Sequence, residues 1–157
     1  MTQLSWTLPV TATSGSDRIS LDRRQVWEGL VHKAEHPSPY VPAVTACKVL
    51  ERHEDGFLRE ITVRDEVLVQ ERVTFLPEER VVFRPVNDPC IEEIVNAIGE
   101  DEHGGTTLSL LVTLSPEGVS KAERTRYFLH ETQRYFSDAL QFIVEGLVER
   151  HTASSRA

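Results

Sequence analysis

The sequence contains few of the residues that mark covalently stabilised or metal-binding proteins. Its 157 residues include two cysteines, one methionine and 7% aromatic residues. Cys47 and Cys90 are far apart, which argues against a disulfide framework, a zinc knuckle and a CxxC redox pair. We therefore expect two reduced, mostly buried thiols in a cytosolic protein.

Long apolar runs and clustered positive charge are also missing. No apolar run reaches the roughly 18 residues of a membrane span, and the basic and apolar regions of a signal peptide are absent. We therefore expect no membrane span and a cytoplasmic location. The formal net charge is −8 and no basic cluster interrupts it, so nucleic acid is not an expected partner.

The N-terminal part predicts a strand followed by a short helix. Leu4–Thr11 alternates apolar and polar residues, as a half-buried strand does. Asp22, with Gln25 three residues later, has the spacing of a helix N-cap. Apolar residues then follow at helical spacing, and a connector containing three prolines ends the helix. The apolar positions are Val26, Trp27, Leu30, Val31 and Ala34, and the prolines are Pro37, Pro39 and Pro42.

The middle of the chain has the two-residue period of β-strands and predicts an antiparallel meander. Turn residues separate its segments, and Gly56 has the position where a three-residue hairpin favours a positive φ. The predicted strands are Thr45–Glu51, Phe57–Val63, Val67–Leu76, Arg80–Val86, Ile91–Ile98 and Thr106–Leu114.

A long amphipathic helix is predicted over Val119–Glu149, with a tail that we expect to be disordered over 151–157 and a single domain over 1–150. Gly146 is unfavourable inside a helix and indicates a bend or close packing. The predicted apolar face contains Thr125, Phe128, Leu129, Thr132, Phe136, Ala139, Leu140, Ile143 and Leu147, widened by Tyr135 and Phe142.

This order of elements resembles the helix-grip fold of the START, polyketide-cyclase and birch-pollen-allergen superfamily (SRPBCC). Four stretches are similar to one branch of it, an AtaL-like family named for a member in a fungal secondary-metabolite cluster. They are Leu21–Leu30, Leu58–Thr62, Gln70–Val73 and Ile94–Asp101. The resemblance implies an α+β fold in which a curved, seven-stranded antiparallel sheet grips the C-terminal helix and leaves a cavity. It also implies that the protein binds, carries or cyclises hydrophobic molecules, and leaves homodimerisation open.

The register of one predicted hairpin places charge on an apolar wall. With Asp65 at the tip, Arg59 faces Glu71 on the inward side. A shift by one residue would place like charges opposite each other. Buried charges are unfavourable unless paired, so the pair either orients a polar group of a ligand or is satisfied structurally near the cavity mouth. The same reasoning, applied to a hairpin centred on Asp55, places Glu51 opposite Arg59.

Four further residues complete the candidate ligand site. Asn96 lies between two apolar residues of its strand, and Thr132 lies at the centre of the apolar face of the long helix. Each has a plain alternative, because a buried Asn can satisfy backbone groups and a helical Thr can bond its own helix. Tyr135 and Phe136 supply aromatic lining on that helix. Trp27 and Tyr40 form either a lid or, by the preferred interpretation, a structural cluster.

One motif suggests a metal site and is set aside. His32, Glu35 and His36 spell H-x-x-E-H, a zinc-protease signature. Histidines four residues apart share a helix face, as zinc requires, but His36 precedes a proline, so we expect the helix to end there and His36 to be non-helical. Neither a metal nor a nucleotide cofactor is indicated.

These observations leave three functions open. The first is binding of a small, mainly hydrophobic ligand oriented by Arg59, Glu71 and Asn96. The second is a cyclase or aromatase in the same cavity, with Glu71 as general base and Arg59 stabilising an enolate. It ranks lower, because a paired Glu is a weaker base. The third is a structural or partner-binding domain with a filled core.

Overall fold

The structure is a computed structural model that describes residues 2–14, 17–124 and 126–156, without the side chains of 12–14, 17, 122–124, 126–133 and 154–156. Nine strands and three helices occur in these ranges. The strands are β1 (Thr2–Pro9), β2 (Thr11–Ser14), β3 (Asp17–Ser20), β4 (Val44–His53), β5 (Gly56–Val63), β6 (Val67–Leu76), β7 (Arg80–Pro85), β8 (Ile91–Glu100) and β9 (Thr106–Leu114). The helices are α1 (Arg23–Glu35), α2 (Pro116–Arg124) and α3 (Arg126–Arg156).

The main sheet has seven antiparallel strands in the order β1-β9-β8-β7-β6-β5-β4. The six strands β4 to β9 lie side by side in sequence order, and β1 completes the sheet beside β9. Helix α3 packs against β1, β2, β9 and α1, and apolar side chains between these elements form the core. The predicted helix-grip fold is therefore confirmed, with the long helix held against the sheet.

Helix α1 begins and ends where local chemistry requires. The Asp22 carboxylate accepts a hydrogen bond from the backbone N–H of Gln25, and the side-chain oxygen of Gln25 accepts one from the backbone N–H of Asp22, forming a capping box. His36 is the C-cap with a non-helical backbone, and Pro37 follows it. The helix buries Val26, Gly29, Leu30, Lys33 and Ala34. The capped start predicted at Asp22 is confirmed.

The structure corrects two sequence predictions at the ends of the chain. Thr11–Ser14 and Asp17–Ser20 pair as a short ribbon, β2–β3, which is not among the predicted strands. The helix predicted over Val119–Glu149 corresponds to α2 and α3, and Thr125 between them lies outside the described residues. Helix α3 also extends to Arg156, so residues 151–156, predicted as a disordered tail, are helical. Polar composition alone misled the sequence analysis at both ends.

None of the helices in the described part of the chain carries an apolar stretch of the length that crossing a lipid bilayer requires.

Gly146 lies where α3 crosses the connector between α1 and β4. A Cβ atom at this position would lie 2.7 Å from Tyr40 Cδ1 and 3.1 Å from the carbonyl oxygen of Pro39. Tyr40 is fully buried, so its ring has little room to move. Close packing, one of the two interpretations of this glycine, is therefore the reason for its presence.

We expect Gly146→Ala to lower the free energy of unfolding by about 1–2 kcal/mol. Helix propensity favours alanine by ~1 kcal/mol, but overpacking a filled contact costs ~1–3 kcal/mol. Urea denaturation measures the difference. Ser137→Ala, at an exposed position of α3, serves as a control that should stabilise slightly. Stabilisation by both variants would contradict the contact with Tyr40.

Candidate functional site

The β5–β6 hairpin fixes the position of the central ion pair. Arg64 and Asp65 both have positive φ values, 52° and 59°, and the Glu66 amide donates to the Val63 carbonyl at 3.1 Å. This is the geometry of a type I′ turn, which matches the twist of the two strands. The resulting register pairs Arg59 with Glu71, as the sequence predicts.

Arg59 and Glu71 form a buried, hydrogen-bonded ion pair. Their relative exposures are 5% and 6%. Glu71 Oε1 accepts from Arg59 Nη2 at 2.7 Å and from Nε at 3.1 Å. Arg59 Nη1 donates to the Ala34 carbonyl at 2.8 Å, which ties the hairpin to the last turn of α1. Such a pair is stable only with nearly complete hydrogen bonding, which these contacts supply.

The predicted position of Glu51 is wrong. Val49 lies opposite Arg59, and Glu51 lies opposite Leu58 at an exposed position. The difference begins at the turn, because His53 pairs with Gly56 across two residues instead of the predicted three, which places Glu51 opposite Leu58. A bulge at Leu50 then shifts the register once more, so that Val49 faces Arg59. The described wall therefore holds one carboxylate beside Arg59, not two.

Lys33 is the second cation at this site, and the sequence analysis missed it. Its relative exposure is 5%, and its Nζ donates to Asn96 Oδ1 at 2.9 Å. The Nζ also lies 4.5 Å from the centre of the Phe83 ring, near which the Arg59 guanidinium lies at 4.8 Å. Asn96 is 1% exposed and points inward as predicted.

The pKa of Lys33 is lowered from 10.5 to about 7, mainly by burial and also by the positive charge of Arg59, while Glu71 opposes the shift. The direction follows from the contacts, because the one hydrogen-bond acceptor found for Nζ is a neutral amide. No carboxylate of the described residues lies within 4.0 Å of it. The signal for Lys33 was available, since it follows Leu30 at a spacing of three, on the apolar face of α1.

An inner cavity of about 160 Å³ lies between these charges and α3. Five of the six predicted ligand-binding residues line it: Arg59, Glu71, Asn96, Tyr135 and Phe136. The side chain of the sixth, Thr132, lies outside the described residues. The remaining lining is mostly apolar: Lys33, Pro37, Val41, Ala43, Val44, Ile61, Val63, Phe83, Ile94, Leu110, Ala139 and Ile143.

An outer pocket of about 280 Å³ adjoins the inner cavity where the connector meets α3. The two spaces share Val41, Ala43, Tyr135 and Ala139. Tyr135 is 52% exposed, so it lies at the boundary with solvent, whereas Phe136 is buried against the Trp6 ring. The outer pocket therefore provides a route from solvent toward the buried charges.

Sequence comparison identifies the family. The family model described as "Acetylaranotin biosynthesis cluster protein L" (AtaL) matches residues 4–149. The chain belongs to the AtaL family. The resemblance found in the sequence is thereby confirmed. No curated protein matches the sequence significantly.

Solved structures share the fold of this AtaL-family protein at low sequence identity. An aromatase/cyclase from Streptomyces sp. R1128 superposes with a TM-score of 0.63 at 13% identity, covering 95% of this chain and 94% of its own. A START superfamily protein from Mycobacterium smegmatis superposes with a TM-score of 0.59 at 17% identity, covering 94% of this chain and 97% of its own. The di-domain ARO/CYC protein BexL of the BE-7585A biosynthetic pathway superposes with a TM-score of 0.62 at 16% identity over 93% of this chain. The match covers 50% of BexL, so this chain spans about half of its length.

The H-x-x-E-H motif of this AtaL-family protein has a structural role. His32 Nδ1 is hydrogen-bonded to the Tyr40 hydroxyl at 2.8 Å, and burial lowers the pKa of His32. His36 is outside the helix, as expected from Pro37. Among the described residues, no group of His, Cys, Asp and Glu is arranged to hold a metal ion.

The aromatic and cysteine residues also have structural surroundings. Trp27 packs edge-on against Phe75 with ring centres 6.0 Å apart, and Tyr40 is buried under α3. Trp27 and Tyr40 share no described ring contact, but Tyr40 belongs to the hydrophobic core and Trp27 packs against it, which favours the structural interpretation. Cys47 and Cys90 are free thiols and are only partly buried, less than the sequence suggests.

A wider groove of about 610 Å³, which shares Phe136 with the inner cavity, lies between the start of β6, the β7–β8 connection and α2. It is larger than the inner cavity, but exposed residues such as Val67 and Leu68 form much of its wall. The buried charges lie instead in the inner cavity. Desolvated ionisable groups facing an apolar space are the stronger indication of a ligand site.

Proposed function

We propose that this AtaL-family protein binds a small, mainly hydrophobic molecule in the inner cavity, between the sheet and α3. The observation that carries this proposal is a group of buried polar side chains facing an apolar space. Apolar walls provide affinity, and Arg59, Glu71 and Asn96 orient a polar group of the ligand. A cytosolic location is proposed with it, in keeping with two free thiols.

The size of the inner cavity supports a compact ligand. A volume of 160 Å³ is close to the ~150 Å³ engineered apolar cavity that accommodates benzene. Larger ligands typically occupy ~300–1,000 Å³, so such a molecule would also extend into the outer pocket. The proposed ligand therefore places one ring or short branched group beside Arg59 and Asn96, with any remainder directed past Tyr135. Thr132 stays a proposed contact.

An empty volume beside buried charges also supports binding over the filled structural core considered from the sequence. A cyclase or aromatase activity in the same cavity ranks second. Aromatase/cyclases share the fold, but the likeness is too distant to carry their chemistry. Glu71 Oε1 already accepts two bonds from Arg59, which makes Glu71 poorly placed for the proton abstraction that such a mechanism would assign to it.

Native mass spectrometry of freshly purified protein tests the binding proposal. We expect a bound small molecule that is released on denaturation, and whose occupancy falls in Arg59→Ala. A protein that carries no molecule and binds none of a panel of one-ring alcohols, ketones and acids would overturn the proposal.

Blocking the boundary between the two spaces should abolish binding while the fold is retained. Ala139 lines both spaces, so we expect Ala139→Trp to weaken binding of the fluorescent probe anilinonaphthalene sulfonate by about tenfold or more, equivalent to 1.4 kcal/mol. Fluorescence titration measures it. Ser137→Trp adds the same side chain at an exposed position of α3 and should bind normally. Equal affinity in both variants would place the probe elsewhere.

A further inference from the structure

Lys33 combines three features that favour a chemical rather than a purely structural role. It is buried, it lines the inner cavity, and its ammonium group lacks a carboxylate within 4.0 Å among the described residues. Its hydrogen bond to Asn96 Oδ1 holds the Nζ in place without neutralising a positive charge. A lysine whose only role was an ion pair would lie beside an acid.

The surroundings of Nζ favour the neutral amine. Arg59 on β5 contributes a permanent positive charge near the same Phe83 ring, and Glu71 on β6 is engaged with Arg59. Cys47 on β4 is another titratable group influenced by this pair, and burial raises the pKa of its thiol, which favours the neutral form. Burial lowers the pKa of Lys33 to about 7, so near neutral pH a large fraction of Nζ carries a lone pair. A desolvated amine next to a second cation is a recognised way to activate a lysine nucleophile.

We propose that Lys33 captures small aldehydes or ketones in the inner cavity by forming an imine at its Nζ. The Nζ lone pair attacks the carbonyl carbon, and one N–H proton moves to the carbonyl oxygen to give a carbinolamine. The hydroxyl group then takes up the second N–H proton and leaves as water while the carbon–nitrogen double bond forms. The sum is amine plus carbonyl compound giving imine plus water, with no oxidant, reductant or further reactant.

The site contains groups suited to each part of this step. Asn96 Oδ1 orients the Nζ, and the face of Phe83 packs beside it. Arg59 has five N–H donors, of which three are used by Glu71 and Ala34, and its side chain is also hydrogen-bonded to Cys47. A remaining donor can stabilise the developing charge on the carbonyl oxygen. The inner cavity admits a single ring, so benzaldehyde is a suitable probe.

Reductive trapping of the full chain tests the proposal. Incubation with benzaldehyde and cyanoborohydride at pH 7, followed by intact-mass measurement and peptide mapping, should add one benzyl group at Lys33. The other lysines of the sequence, Lys48 and Lys121, report general amine reactivity. We expect Lys33 to be labelled at least tenfold faster than either, with a rate that saturates in benzaldehyde. Equal labelling of all three would overturn the proposal.

Two variants separate nucleophilicity from simple accessibility. Lys33→Arg keeps the positive charge and should lose the adduct. Asn96→Asp places a carboxylate beside Nζ and should slow labelling at pH 7 at least tenfold, with recovery at higher pH as the amine deprotonates. Unchanged labelling of Asn96→Asp at pH 7 would contradict the role assigned to the neutral amine.

The imine proposal rests on ligand binding in the inner cavity, and a non-reactive analogue distinguishes the two. Benzyl alcohol should bind and slow the labelling of Lys33 by competition. Protection by benzyl alcohol in a thermal-shift titration without a Lys33 adduct would overturn imine formation and leave the binding proposal standing. Failure of both benzyl alcohol and benzaldehyde to bind would overturn both.

Discussion

Replacing Glu71 by alanine is expected to lower the free energy of unfolding by about 3 kcal/mol. The variant leaves the Arg59 guanidinium buried without its acid and close to Lys33, a second cation. Removing one partner of a buried ion pair typically costs ~3–5 kcal/mol, because the remaining charge is neither solvated nor neutralised. Urea denaturation followed by the fluorescence of Trp6 and Trp27 measures the change.

An exposed ion pair provides the matched control for Glu71→Ala. Arg84 and Glu93 lie 3.0 Å apart on neighbouring strands, with Arg84 mostly exposed. Glu93→Ala should change stability by only ~0.5 kcal/mol, since solvent screens such a pair. The double variant Arg59→Met with Glu71→Leu should recover most of the loss, because apolar replacement of a buried pair is often neutral. Equal effects of Glu71→Ala and Glu93→Ala would mean that the Arg59–Glu71 pair is solvated.

The second large expected effect is a dependence of the free energy of unfolding on pH, caused by Lys33. Its pKa is about 7 in the native state against 10.5 ordinarily, so between these values the unfolded chain holds a proton that the native protein lacks. Stability therefore rises with pH in this window, and the penalty for burying the ammonium group is complete below pH ~7. Lys33→Met removes this contribution. Between pH ~6 and ~9, we expect the free energy of unfolding of the wild type to rise by about 3 kcal/mol relative to that of Lys33→Met.

Urea denaturation of both proteins at several pH values measures this difference. Lys48→Met, at an exposed position of β4, controls for loss of a lysine on the surface, and its difference from wild type should stay nearly constant with pH. If the stability difference between wild type and Lys33→Met is equally constant with pH, Nζ stays protonated in the native protein. The basis for its nucleophilicity would then be removed.

The sequence predicted those parts of the fold that depend on local pattern. Alternation located the strands of the meander, and the capping pair Asp22 and Gln25 located α1. The register of β5 and β6 was predictable because a shift by one residue would oppose like charges, Arg59 to Arg72. The inward direction of Asn96 followed from the same period-two reasoning.

What could not be predicted depends on contacts between distant segments or on single irregularities. Lys33 was overlooked because lysines are rarely buried, although its helical position is on the apolar face of α1. The polar ribbon β2–β3 has little alternation to reveal it. The apolar pattern of β4 reveals neither the two-residue turn between His53 and Gly56 nor the bulge at Leu50, so Glu51 was placed in the wrong register.

The way β4 turns into β5 affects the acid–base balance of the molecule's interior. A three-residue turn without the bulge at Leu50 would bring Glu51 opposite Arg59, where Val49 now lies. A second carboxylate there would stabilise the protonated form of Lys33. The lengths of one turn and one edge strand therefore influence the proton affinity of an amine on a different element. In relatives of this chain, these lengths should vary together with the basicity of the lysine, even if the cavity walls remain the same.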